Sequence, residues 1–280
     1  MTLIYMFPGQ GSQAKGMGEG LFERFPELVQ QADAVLGYSL RDLCLTDAQE
    51  QLGQTQFTQP ALYAVNALSY LAKVAESGRQ PDYAIGHSLG EYDALFAAGA
   101  FDFVTGLRLV QRRGAIMSKA QGGGMAAVLG MEAAAIAAAL ASSGCSQVDI
   151  ANFNAPTQTV ISGPKPAVEA AAKVLEQAGA KRVVLLSVSG AFHSRQMNAA
   201  AREFAQFVQS VTFQPLQRPV IANLTAREYE PGKVAEMLVQ QIDHAVRWVE
   251  TIQSLKAKPE AQFEEVGPGK VLSGLLRQMR

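Results

Sequence analysis

Short apolar runs alternate with longer segments of helical periodicity along much of the chain. Residues 3–7 (LIYMF) form an apolar run that Pro8-Gly9 ends, and residues 83–86 (YAIG) form a second run. In the segment between them, residues 58–73, leucines and a valine recur about every three positions. This pattern predicts two buried strands joined by a helix with one apolar side.

The same alternation continues after the second strand. It predicts helices at 89–99, 194–210, 233–256 and 270–279 and strands at 220–223 and 262–266, and Asp102 is placed to cap a further helix that ends near Ser118. Strands that alternate with helices in this way indicate a mostly parallel sheet, and therefore an α/β fold.

The segment that starts at Gly122-Gly123-Gly124 has a different order of elements. Strands are predicted at 125–130, 148–154, 157–162 and 182–188, and helices at 132–142 and 165–178. The order βαββαβ is that of the ferredoxin-like motif. We therefore expect residues 122–189 to be an inserted small domain, and residues 1–121 and 190–280 to form one discontinuous larger domain.

Composition excludes several classes of function. Apolar residues make up 48% of the 280 residues and charged residues 18%, which is enough for a large core. The net charge is -1 without a strong basic cluster, so we expect no nucleic-acid partner. No apolar run is long enough to span a membrane, and the N-terminus lacks the features of a secretory signal, so we expect a cytoplasmic protein. Cys44 and Cys145 lie far apart and have no zinc-binding spacing.

Residues 86–90 (GHSLG) match the pattern G-x-S-x-G. In that pattern a sharp turn between a strand and a helix exposes the serine hydroxyl, and small neighbours let the backbone pass closely. The predicted strand before Ser88 and the predicted helix after it supply this context. The helix start also directs backbone N–H groups toward a developing oxyanion. The pattern favours a nucleophilic Ser88 over a serine that merely caps the helix.

A nucleophilic serine needs a base, and the chain has three histidines. His87 is adjacent to Ser88, so its side chain is expected to point away, and His244 (in IDHAVRW) fits a surface role. His193 (in SGAFHS) follows the last strand of the small domain, from where a loop can reach back to Ser88. By elimination His193 is the predicted base; the alternative is a buried structural histidine. No aspartate in 165–192 stands out as a third member, and a carbonyl group could orient the imidazole instead.

Arg113 lies on the apolar side of the helix that Asp102 starts, since the residues three and four positions away are all apolar. A buried charge without a partner is very costly, so an anionic partner is expected. It is either an internal Asp or Glu or the carboxylate of a ligand, which a guanidinium binds through two parallel hydrogen bonds. The loop at 8–13 fits no phosphate-binding motif; it is either a plain turn or the source of a second oxyanion donor.

Taken together, these motifs resemble the malonyl-CoA:acyl carrier protein transacylases, and most of all the discrete, trans-acting acyltransferases of polyketide synthases. The resemblance covers essentially the whole chain. It rests on FPGQGSQ at 7–13, TQPAL at 58–62, GHSLGE at 86–91, RRG at 112–114, NFNAP at 152–156, GAFHS at 190–194 and VGPGKVLSGL at 266–275.

The resemblance implies an α/β-hydrolase-like large domain with a ferredoxin-like insert. It implies that Ser88 becomes acylated, that His193 acts as general base and acid, and that the main-chain carbonyl of Gln241 orients His193. The remaining implied roles are an oxyanion hole from the N–H groups of Gln10 and Leu89, a carboxylate-binding Arg113, and a pocket lined by His87 and Asn154. Phe192, before the histidine, goes with malonyl in this family, because its ring fills the space that an α-methyl group needs.

The implied partners are malonyl-CoA and an acyl carrier protein, and the implied enzyme is a monomer without cofactor or metal. Three alternatives remain open at this point. They are an acyl hydrolase that releases stalled chains from carrier proteins, a module that binds carrier proteins without catalysis, and the housekeeping enzyme of fatty-acid synthesis. Arg113 argues against a hydrolase of neutral acyl chains, and intact Ser88 and His193 argue against the non-catalytic module.

Overall fold

The computed structural model describes residues 1–279. A parallel sheet of three strands lies at its centre, in the order β2–β1–β7. Its strands are β1 (Thr2–Phe7), β2 (Tyr83–Gly86) and β7 (Ala261–Glu265). Alternate side chains of β1 contribute to two different buried clusters, so both faces of the sheet are covered by helices.

Helices cover this sheet on both sides. The helices of the N-terminal part are α1 (Leu21–Arg24), α2 (Pro26–Leu36), α3 (Leu40–Leu45), α4 (Thr55–Ser77), α5 (Gly90–Ala97) and α6 (Phe103–Ser118), and those of the C-terminal part are α9 (Asn198–Val208), α10 (Val234–Gln240), α11 (Trp248–Lys256) and α12 (Val271–Arg277). Asp102 caps α6 through its side chain, which accepts a hydrogen bond from the Thr105 N–H. The first three helices were not predicted.

A second sheet is antiparallel and has the order β4–β5–β3–β6. Its elements follow one another as β3 (Gly123–Leu129), α7 (Ala133–Ser142), β4 (Asp149–Ala155), β5 (Gln158–Pro164), α8 (Lys165–Gln177) and β6 (Arg182–Leu185). This order is the ferredoxin-like one. Ala126 and Val128 of β3 pack on α7 and α8, whereas Met125 faces the main core. The predicted α/β fold class is confirmed; the exact domain boundaries stay a prediction.

The predicted helix at 233–256 is wrong, because the chain breaks it into α10 and α11. Four buried residues at a spacing of four (Val234, Leu238, Ile242 and Val246) continue the helical pattern through the break. The backbone of Val246 instead pairs with β4, through hydrogen bonds of 2.9 Å to Ala151 and to Phe153. Tertiary hydrogen bonding thus overrides the periodicity, and residues 241–247 form a turn that contacts the second sheet.

The predicted strand at 220–223 is also wrong. Val220 forms a single parallel bridge with Ala84 of β2, and Ile221 forms one antiparallel bridge with Glu228. Pairing stops there because Asn223, the next residue but one, directs its hydrogen bonds to the turn that follows β2. The segment therefore extends the parallel sheet by one bridge only.

Candidate active site

Ser88 lies at the turn between β2 and α5, a nucleophile elbow. Its φ is +51°, in the left-handed region that costs a non-glycine residue roughly 1–2 kcal/mol. A Cβ on Gly86 would lie 1.9 Å from the Gly90 backbone, and a Cβ on Gly90 would lie 2.0 Å from the Phe7 carbonyl oxygen. The two glycines of the motif are therefore required by close backbone packing around the serine.

The Ser88 hydroxyl meets His193, whose Nε2 lies 2.7 Å from Ser88 Oγ. Nδ1 of the same ring lies 2.8 Å from the main-chain oxygen of Gln241 and 3.2 Å from that of His244. Carbonyl oxygens only accept hydrogen bonds, so Nδ1 carries the ring proton and Nε2 is free to accept from the serine. His193 is thus held in the tautomer that a general base requires.

Burial, and after it the charge of the nearby Arg113 guanidinium, lowers the pKa of His193 to about 3. The imidazole is therefore neutral over the physiological pH range. The same two effects disfavour an imidazolium, so proton transfer from Ser88 must be accompanied by negative charge nearby. An acyl carboxylate or an oxyanion at this position would supply that charge.

Arg113 extends from α6 into the same site, and only 1% of it is exposed. Its guanidinium donates to Gln59 Oε1 at 2.9 Å, to Gln241 Oε1 at 2.8 Å and to Ser88 Oγ at 3.1 Å. In residues 1–279 no Asp or Glu forms an ion pair with it, and its Nε has no hydrogen-bond partner. Of the two partners that the sequence left open, no internal carboxylate of the described residues is bonded to Arg113 directly; Glu91 acts on it only at a distance, with the Gln241 amide bonded to both.

A cavity of about 200 Å³ opens in front of Ser88. All the predicted site residues except Gln241 line it, as do Met117, Met125, Val160 and Gln59. His87 Nε2 donates to Asn154 Oδ1 at 2.8 Å, and the His87 ring lies against Trp248. Phe192 is buried beside His193. The cavity is mainly apolar around a polar end, which suits a short acyl group with one charge.

The predicted oxyanion donors lie where the N-terminal loop meets the elbow. A Cβ on Gly9 would lie 2.3 Å from the His87 carbonyl oxygen and 3.6 Å from the Leu89 nitrogen, so this loop packs directly on the elbow backbone. Within the described residues, neither the Gln10 N–H nor the Leu89 N–H donates a hydrogen bond to the protein. Both residues line the cavity, so both groups are available to an oxyanion there.

Three buried polar residues of the site were not predicted from the sequence: Gln59, Glu91 and Asn223. Glu91 accepts hydrogen bonds from Tyr229, from Asn223 and from the Gln241 side chain, and burial raises its pKa to about 7. A signal for Glu91 existed, since it lies one helical turn after Ser88 at the start of a helix that is otherwise almost entirely buried. Asn223 had no such local signal.

The described part of the chain contains no cluster of three or more metal-ligating side chains. Among the same residues, none of the helices has the length and apolar character needed to cross a membrane.

Comparison with known proteins identifies the family to which the chain belongs. The family model for the acyl transferase domain matches residues 4–278, and the chain belongs to that family. The polyketide biosynthesis malonyl CoA-acyl carrier protein transacylase BaeC of Bacillus velezensis is 53% identical over 99% of this chain and 96% of its own length. The malonyl CoA-acyl carrier protein transacylase of Escherichia coli is 38% identical over 98% of this chain and 92% of its own length.

Solved structures agree in fold. The crystal structure of malonyl CoA-acyl carrier protein transacylase from Burkholderia pseudomallei has a TM-score of 0.96 at 49% identity, covering 99% of this chain and 97% of that one. A malonyl-transacylase in complex with a type II polyketide synthase acyl-carrier protein has a TM-score of 0.95 at 36% identity, covering 100% and 93% of the two chains. The resemblance predicted from the motifs is confirmed.

Proposed function

We propose that this acyltransferase moves a malonyl group from malonyl-CoA to the phosphopantetheine thiol of an acyl carrier protein, as a trans-acting enzyme of polyketide synthesis. The observation that carries the proposal is Arg113. A buried guanidinium that touches the nucleophile and lacks an internal carboxylate is suited to an acyl group that ends in a carboxylate. The relatives named as polyketide transacylases support the assignment to polyketide synthesis.

The proposed first half-reaction acylates Ser88. His193 Nε2 takes the hydroxyl proton while Ser88 Oγ bonds to the thioester carbon, and the N–H groups of Gln10 and Leu89 stabilise the oxyanion. The carbon–sulfur bond then breaks, and the sulfur of CoA leaves with the proton from His193. Gln241 keeps the imidazole oriented through its main-chain carbonyl. Arg113 holds the malonyl carboxylate through two hydrogen bonds.

The second half-reaction runs the same steps with a different thiol. His193 takes the proton of the phosphopantetheine thiol, whose sulfur attacks the malonyl-serine ester. The ester bond breaks, and Ser88 Oγ regains the proton from His193. All the chemistry is carried by side chains and N–H groups of this chain, so the proposal needs no metal or cofactor.

We also propose the finer features that the sequence predicts. Residues 1–121 and 190–280 form the catalytic domain and residues 122–189 the small domain, with the active site between them. The enzyme acts as a cytoplasmic monomer whose partners are carrier proteins and not nucleic acids or membranes. Phe192 limits the pocket to an unbranched malonyl group, and His87 and Asn154 line that pocket.

The experiment is the intact mass of the protein after brief mixing with malonyl-CoA, acetyl-CoA or methylmalonyl-CoA. The expected result is one malonyl adduct on the wild type, little from the other two donors, and none on Ser88→Ala. Added carrier protein should then remove the adduct and become malonylated itself. An adduct from acetyl-CoA alone, which water removes, would instead identify an acyl hydrolase, and no adduct from any donor would identify a non-catalytic module.

The polyketide role is tested separately from the chemistry. Malonylation rates are compared between a carrier domain of a polyketide synthase and a carrier protein of fatty-acid synthesis at equal concentration. Faster transfer to the polyketide carrier is expected. A clear preference for the fatty-acid carrier would identify the housekeeping enzyme instead.

A further inference from the structure

Both ends of the Asn223 side-chain amide form hydrogen bonds with the backbone of the nucleophile elbow, on the side away from the cavity. Its Oδ1 accepts a hydrogen bond of 2.7 Å from the Ser88 N–H, and its Nδ2 donates one of 2.7 Å to the Gly86 carbonyl oxygen. Only 1% of Asn223 is exposed. One planar group thus holds the backbone on both sides of His87, the residue that leads into the serine.

The backbone of Asn223 reaches two other parts of the site. Its N–H donates to Glu91 Oε1 at 3.0 Å, on the helix that follows the serine. Its carbonyl accepts from the Arg247 N–H at 3.0 Å. Arg247 ends the turn at 241–247, which also supplies the two carbonyl oxygens on His193 Nδ1. A single residue therefore connects the nucleophile to the turn that orients its base.

The conformation of Ser88 needs such support. A left-handed serine is strained and persists only when its surroundings over-determine it. The N–H of Ser88 has no place in the hydrogen bonding of α5, so it would be left buried without an acceptor if Asn223 were absent. Asparagine suits the position because it carries a donor and an acceptor in one short planar group, whereas an apolar residue has neither and an ionised aspartate lacks the donor.

From these contacts we propose that Asn223 is a positioning residue for the acyl transfer, which sets the distance and direction between Ser88 Oγ and His193. The inference rests on the proposed function, because it gives Ser88 the role of nucleophile. Asn223 does not line the acyl cavity, so its contribution is to the rate of serine acylation and not to the binding of the donor.

The test measures the first-order rate constant of Ser88 acylation at saturating malonyl-CoA, the half-saturating donor concentration and Tm. The variants are Asn223→Ala, which loses both side-chain bonds, and Asn223→Asp, which retains the shape and the acceptor. Thr251→Val is the matched control: Thr251 is fully buried nearby and gives up one hydrogen bond, to the Arg247 carbonyl oxygen, without touching the elbow.

The expected rate constant falls roughly 100-fold in Asn223→Ala, the loss typical of a small misplacement of reacting groups, and about tenfold in Asn223→Asp. The half-saturating concentration should change less than about twofold in both, and the control should react like the wild type. A rate constant within about twofold of wild type in Asn223→Ala would overturn the proposal. So would a rate and a donor affinity that fall together with Tm, or the failure of both variants to fold, since each indicates a purely structural role.

Failure of the proposed function would give results different from those that overturn the role of Asn223. If the wild type and Thr251→Val form no malonyl adduct, malonyl transfer is wrong whatever Asn223 does. The same four proteins are then compared with a fluorophosphonate, a probe that reacts with an activated serine irrespective of its natural substrate. Equal labelling of all four would overturn the positioning role as well, and slow labelling of the two Asn223 variants alone would support it.

Discussion

The front and the back of the nucleophile elbow differ in how well their polar groups are satisfied. At the front, around Ser88 Oγ, Arg113 is in no ion pair among the described residues, and the N–H groups of the cavity-lining residues Gln10 and Leu89 have no acceptor there. At the back, Asn223 makes four hydrogen bonds and Glu91 accepts from three different residues. Around Ser88 itself, groups without a partner thus lie on the side where a substrate would bind, whereas Asn223 and Glu91 on the other side are satisfied, although the Tyr92 hydroxyl and Asp93 Oδ1, further along α5, also lack a partner among residues 1–279.

The back of the elbow should tolerate the least change in volume. Gly90→Ala would place a methyl group 2.0 Å from the Phe7 carbonyl oxygen, so we expect a loss of more than about 4 kcal/mol in the free energy of unfolding. Gly124→Ala, in the antiparallel sheet, meets its nearest atom at 3.2 Å and should cost about 1 kcal/mol or less. Urea unfolding of both variants measures this. Equal stability of the two would mean that the back of the elbow is not closely packed.

Substitutions at the front of the elbow should reduce catalysis much more than they reduce folding stability. Arg113→Met removes the carboxylate-binding group, so malonyl transfer should fall roughly 100-fold or more, because hydrogen bonds to charged groups contribute about 1.5–3 kcal/mol each. Acetyl transfer should rise. The free energy of unfolding should change by less than about 2 kcal/mol, since the removal of a buried charge offsets the donors that Gln59 and Gln241 lose.

The matched control for this prediction is Arg112→Met. Arg112 is adjacent in sequence but lies at the surface, in an ion pair with Glu203. It should keep wild-type transfer and selectivity. Normal malonyl transfer by Arg113→Met would show that the unpaired guanidinium is not a binding group.

The pH dependence of the acylation rate tests whether the base at the front of the elbow, His193, is buried. Because the pKa of His193 is lowered to about 3, the neutral base persists as the pH falls, and the acylation rate should change less than twofold between pH 6 and pH 5. A histidine with the ordinary pKa of about 6.5 would lose about eightfold over this interval. Glu91, with a pKa of about 7, is already mostly protonated there. Stopped-flow acylation measures the profile, and an eightfold loss would contradict a buried base.

The smallest expected effect is that of the backbone strain at Ser88. Ser88→Gly and Ser88→Ala both abolish the adduct and both lose the contacts of the hydroxyl. Only glycine adopts a φ of +51° without strain, so Ser88→Gly should be more stable by about 1 kcal/mol. Thermal unfolding compares the two. Equal stability would mean that the elbow stores no strain at this residue.

The sequence predicted the front of this site better than the back. Ser88, His193 and Arg113 are unusual residue types in their local patterns: a serine between glycines, a histidine in a loop and an arginine on an apolar helix side. Asn223 and Gln59 have ordinary local surroundings, and what distinguishes them is contact with residues far away in the chain.

The predicted secondary structure divides in the same way, into elements that local pattern determines and elements that distant contacts determine. Local periodicity predicted most strands and helices to within a few residues, including the βαββαβ order of the second sheet. It was wrong at 220–223 and at 233–256. Both segments take their conformation from hydrogen bonds to residues far away in the chain, around the elbow in one case and on β4 in the other. These bonds depend on tertiary structure, and no pattern of neighbouring residues records them.

The unpaired guanidinium of Arg113 also has a consequence for the lifetime of the protein. A buried charge without a direct ion pair is costly in the resting enzyme, and a bound malonyl carboxylate would offset that cost. We then expect the acylated enzyme to have the higher Tm. The malonyl group on Ser88 thus protects the enzyme itself from unfolding. On this reasoning the enzyme unfolds most readily when no donor is present, so we expect its Tm to rise with the concentration of malonyl-CoA.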